Sequence, residues 1–166
     1  MQKNHRYLCR FGALALATCA ALLHASDRIA EDTMNQHATG PFDVKLAMLE
    51  PYNKSDATMA RRSIDKQFHG DLDAASQGEM LSVGTARDNA GYVAIERVTG
   101  KLHGRRGSFA LQHKATMTNG APFLDIIVVP GSGTDELKGL SGSMKIEIAP
   151  GGAHSYHFEY TLQPGG

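Results

Sequence analysis

Glu96 and Tyr92 stand four residues apart in a stretch of alternating side chains, so both project from one face of an extended strand. A carboxylate facing the inside of a barrel loses its water, which raises its pKa and suits it to general acid or base work. Arg105 is its expected charge partner, and pairing would oppose that rise. An unpaired Glu96 points to chemistry, a paired one to architecture, and one on the solvent face to neither. His113 shares a face with Phe109 and Leu111. It suits proton transfer near neutral pH, but a satisfied core histidine is the expected role. His154, Tyr156 and Tyr160 line one face of the last strand as a polar and aromatic wall. The candidate catalytic residues are therefore Glu96 and His113. The candidate ligand wall is Tyr92, Arg105, Phe109, His154, Tyr156 and Tyr160, an apolar pocket with a few orienting polar groups.

Other chemistries find little support. His154 and His157 point to opposite strand faces, because three is an odd spacing, so a shared metal is not expected. The two cysteines, Cys9 and Cys19, both fall in the first 25 residues. No cofactor and no metal centre is expected. Gly131-Ser132-Gly133-Thr134 lacks the lysine and the following helix of a phosphate loop, and reads as a loop whose hydroxyls bond its own backbone. Ser108 has no GxSxG context. The pairs Arg61-Arg62 and Arg105-Arg106 read as solvated strand ends or turns, or as a grip for an anionic ligand head.

The elements that must position these groups are strands. Period-two alternation begins after Gly40-Pro41 with Phe42, Val44, Leu46 and Met48. It returns around Ile64 and Phe68, over residues 79–86 and 92–102, at Phe109 to His113, in the apolar run ending at Val129, at Met144, Ile146 and Ile148, and from His154 to Leu162. A short helical turn over residues 57–62 is an open alternative to strand there. About eight strands separated by turn signals predict an all-β single domain, a closed antiparallel barrel or a sandwich. Closure is favoured because it removes exposed edges.

The N-terminus reads as an address. Lys3, Arg6 and Arg10 precede an apolar run from Phe11 to Leu23, the pattern of a secretory signal cut after Ala25. The run is too short for a stable membrane span, which needs ~20 residues. Residues 26–40 then form a flexible leader, residues 41–162 the barrel, and residues 163–166 a tail. Export to the periplasm or medium is expected, with lipid attachment at Cys19 as the alternative. The chain has 166 residues with 17 basic and 17 acidic side chains, so it lacks the basic excess of a general nucleic-acid binder.

Three stretches resemble a known family. They are Gly91-Tyr92-Val93-Ala94-Ile95-Glu96-Arg97-Val98 with Gly100-Lys101-Leu102-His103-Gly104-Arg105-Arg106-Gly107-Ser108-Phe109, then Val128-Val129-Pro130-Gly131-Ser132-Gly133-Thr134-Asp135-Glu136-Leu137, and His154-Ser155-Tyr156-His157-Phe158-Glu159-Tyr160. Together they resemble a bacterial family of unknown function whose members look like the allene oxide cyclase barrel. The resemblance covers about residues 41–162 and implies an eight-stranded antiparallel barrel with a central cavity. It implies no reaction, because fold does not fix function. Two functions stay open. One is a non-catalytic exported barrel that binds a small apolar ligand or a protein partner. The other is a cofactor-free isomerase or cyclase acting in the lumen. An open lumen lined by Glu96, Tyr92 and His113 favours the enzyme, and a lumen filled with apolar side chains favours the binding or structural role.

Overall fold

The computed structural model describes residues 35–163. The expected signal, with Cys19 as the alternative lipid site, and most of the stretch read as leader lie outside the described residues. Within them, eight strands run as β1 (Gln36–Leu49), β2 (Met59–Phe68), β3 (Leu72–Ala86), β4 (Asn89–Leu102), β5 (Arg105–Thr118), β6 (Ala121–Val128), β7 (Leu140–Ile148) and β8 (His154–Leu162). They form a closed antiparallel barrel in chain order. The all-β class and the closed antiparallel barrel are as expected from the residues and the resemblance.

Local boundaries differ from the sequence reading at β1 and β2. β1 begins at Gln36, five residues inside the stretch read as leader, because residues 36–42 pair with β8 from Tyr160 to His154. Residues from Met59 onward are strand, not helix, held by the β3 ladder from Met59↔Val83. The only helix among the described residues is the short 3-10 turn at Asp135–Leu137. Sharp reversals fall where the chain tolerates positive φ: His103-Gly104 at 46° and 81°, and Asn119-Gly120 at 50° and 80°. Both are two-residue primed turns, whose twist matches that of the strands they join.

The barrel has two unlike ends. At the end of the β2–β3 and β4–β5 turns, the inward side chains pack solid. Phe68, Leu72, Val98, Leu102, Phe109, Leu111, Phe158 and Tyr160 are all almost completely buried. The Phe158 ring stacks on Phe109 and Tyr160, with centroids 5.8 and 5.2 Å away. The Tyr156 hydroxyl accepts from the Leu72 N–H at 2.8 Å and donates towards the Thr39 and His69 carbonyls at 3.0 Å, tying β8 to β1 and the β2–β3 turn. Because β1 and β8 run antiparallel, Gln36 and Leu162 both lie at this packed end.

The β6–β7 seam is thin, with Ile127↔Ser143 its one paired position. The connection over residues 129–139 runs along β5. Leu137 is buried, the Thr134 N–H donates to the Ser108 carbonyl at 2.9 Å, and the Ser132 and Thr134 hydroxyls accept from the Ala110 and Ser108 N–H groups at 3.0 Å. The two hydroxyls thus serve the β5 backbone, the Thr134 hydroxyl also donating to Asp135 at 2.9 Å, so this segment continues the pairing along β5 beyond Val128.

Candidate functional site

The opposite half of the barrel is open. A cavity of about 880 Å³ occupies it, within the usual range for small-molecule pockets. Its inner wall includes Val44, Ile64, Met80 and Ile146, and its rim Met48, Met59, Phe123 and Ile148. Large side chains crowd the other end, while here the inward positions carry Ala60, Gly84, Ala90 and Ala115, which leave space. The lumen is neither wholly open nor wholly filled: one half is packed and the other holds the cavity.

A charged cluster divides the two halves. β4 places Glu96 inward at 0% exposure, β2 places Lys66 beside it and β5 places His113. The Lys66 ammonium donates to Glu96 Oε1 at 2.7 Å, His113 Nε2 lies 2.9 Å from the same oxygen, and the Ser76 hydroxyl donates to Oε2 at 2.7 Å. Burial pushes the Glu96 carboxyl up. The hydrogen bond from His113 and the adjacent Lys66 and His113 charges outweigh it and hold the pKa at about 2, below the ordinary 4.5. The group is an ionised carboxylate that accepts every bond, so His113 donates through Nε2–H. The Lys66 ammonium also lies over the Phe42 and Phe68 rings, 5.4 and 5.6 Å from their centroids. Space for the carboxylate comes from Gly78 on β3, where a Cβ would sit 2.6 Å from that of Glu96.

Of the expected site residues, the cavity wall includes Tyr92, His113 and His154. Burial, with the Glu96 charge nearby, pushes the Tyr92 phenol up, so it stays neutral and available as a hydrogen-bond donor. Among the described residues His113 Nδ1 has no hydrogen-bond partner and no sealed side-chain nitrogen or oxygen lacks one, so this nitrogen is accessible from the cavity.

The remaining placements are corrections. Glu96 is sealed beneath the wall and does not line the cavity. Arg105 is exposed at the start of β5 and is not its partner, because strand pairing carries Arg105 to Leu102 at the packed end. Phe109, Tyr156 and Tyr160 belong to the packed half. The Tyr160 hydroxyl is occupied by Gln36 at 2.8 Å and His103 at 2.7 Å. Lys66 and Arg62 were missed as lumen residues. Their signal was parity: both alternate in step with Ile64 and Phe68, the two apolar anchors of that segment.

A family model described as "Protein of unknown function (DUF3224)" matches residues 38–160. The crystal structure of a protein of unknown function from that family in Shewanella oneidensis MR-1 is 47% identical. The match covers 80% of this chain and 100% of that one, with a TM-score of 0.75. No curated protein matches the chain.

Proposed function

The chain belongs to the DUF3224 family, and from that premise and the two-ended barrel we propose that it is an exported protein that binds a small, largely apolar ligand in the open half of its lumen. The observation that carries this reading is the cavity of about 880 Å³ with its apolar wall. Burying such a wall against a ligand is favourable at roughly 25 cal/mol per Å² of apolar surface. Catalysis at Glu96 is not part of this reading, because a sealed and paired carboxylate suits architecture. A water-facing exterior supports the reading too. Outward positions carry Asp65, Gln77, Arg97 and Lys114, beside an apolar strip of Leu81, Val93 and Ile95. A membrane barrel has the reverse pattern, with its apolar band facing out. The basic and apolar segments before residue 26 support export, and an exported product whose sequence begins near Ser26 is the expected finding on mass spectrometry.

Binding is tested with the neutral fluorophore N-phenyl-1-naphthylamine. The parent protein should enhance its fluorescence saturably, and dodecanol should displace it. Ile64→Trp extends an indole from the inner wall into the cavity and should weaken binding at least about tenfold. Its melting temperature should stay near that of the parent, since the added bulk enters empty space. Parent-like binding in the filled variant would place the ligand elsewhere and overturn the reading.

A further inference from the structure

No carboxylate lines the cavity, whereas Arg62 and Lys66 both do. Lys66 is neutralised by Glu96 at 2.7 Å. Arg62 has no carboxylate partner among the described residues. Its one hydrogen bond among the described residues runs from Nη1 to the Ser82 hydroxyl at 3.1 Å, which leaves most of its five donors unspent. Arg61 shows the contrast. It faces outward and is clasped by both oxygens of Glu79 at 2.8 Å, so the alternation of β2 splits the basic pair between solvent and lumen. Arg62 stands four residues before Lys66 on the same strand face, roughly 13 Å nearer the rim. Its register partners Met48 and Met80 flank it with apolar surface on both sides.

A guanidinium half-withdrawn from water, flanked by two methionines and without a counter-charge among the described residues, is matched by a planar anion. Two parallel N–H···O bonds then replace lost hydration and fix orientation. We infer that the ligand is a small amphiphile with an apolar body and one anionic head, the head held by Arg62 and the body against Val44, Ile64 and Ile146. This inference rests on the ligand-binding reading above and adds the chemistry of the ligand to it.

Dodecanoate and dodecanol share a chain and differ in the head, so each is titrated against naphthylamine-loaded protein at mildly alkaline pH. The parent should bind dodecanoate at least about tenfold more tightly than dodecanol. Arg62→Met should weaken dodecanoate about ten- to a hundredfold, the usual worth of hydrogen bonds to a charged group, and leave dodecanol within about twofold. Unchanged dodecanol binding also certifies that the variant is folded. Arg62→Lys keeps a point charge without the fork and should lose less. If the parent binds both equally, or Arg62→Met weakens both alike, the anionic head is wrong while the apolar-ligand reading stands. If the parent binds neither dodecanol nor the fluorophore, the underlying reading falls and this inference with it.

Discussion

Glu96→Gln should lower the stability of the barrel by about 3 to 5 kcal/mol, read as a shift of the urea or thermal unfolding midpoint. The amide keeps the volume but withdraws the charge that balances Lys66, whose side chain is only 5% exposed. Removing one partner of a buried pair leaves an uncompensated ion, which is far costlier than losing the pair as a unit. The double change Lys66→Met with Glu96→Gln should therefore recover much of the loss, and the two substitutions should be strongly non-additive. Acid provides an independent check. The folded-state pKa of about 2 lies below the ordinary 4.5. The stability contributed by Glu96 is thus full above roughly pH 4.5 and drains away as the pH falls towards 2. By linkage it amounts to about 3 kcal/mol. The parent should lose stability in that window more steeply than the double variant. A Glu96→Gln protein that melts with the parent would show that the ion pair is not structural and would reopen a catalytic role.

Phe158→Ala should cost a similar amount, about 3 to 5 kcal/mol, because it empties the centre of the aromatic stack between Phe109 and Tyr160 and the surrounding rings cannot fully collapse into the void. Its effect on ligand affinity should be small. Phe158 lies on the packed side of the charged cluster and does not line the cavity. Ile64→Trp has the opposite signature, with affinity lost and stability kept. Together the two variants assign stability to one half of the barrel and binding to the other. A Phe158→Ala protein that stays folded yet loses the fluorophore would show that the halves are mechanically coupled across the Lys66–Glu96–His113 layer.

Much of this was legible from residue types. Alternation on β4 placed Tyr92 and Glu96 on one face without saying which side it took, and the structure turns that face inward. The period of a strand depends only on backbone geometry, so it survives without tertiary knowledge. The partner of Glu96 was not legible. Lys66 lies 30 residues away and Arg105 only nine, yet the β2–β3–β4 registers bring the inward Lys66, and not Arg105, alongside Glu96. Sequence proximity favoured the cation that strand pairing carries to the far end. Nor did a face say which part of it is packed. Tyr156 and His154 share one, but the first lies in the aromatic plug and the second at the cavity. That difference arises along the barrel axis, where side-chain volumes from all eight strands must be added before a void can be recognised.

The meander also decides how the barrel can be handled. Gln36 and Leu162 emerge side by side at the plugged end, while the cavity opens at the other. A bead, a sensor surface or a fused domain fastened to either strand end therefore leaves the opening turned away from its anchor. Immobilised protein should remain as accessible to a titrated amphiphile as protein free in solution.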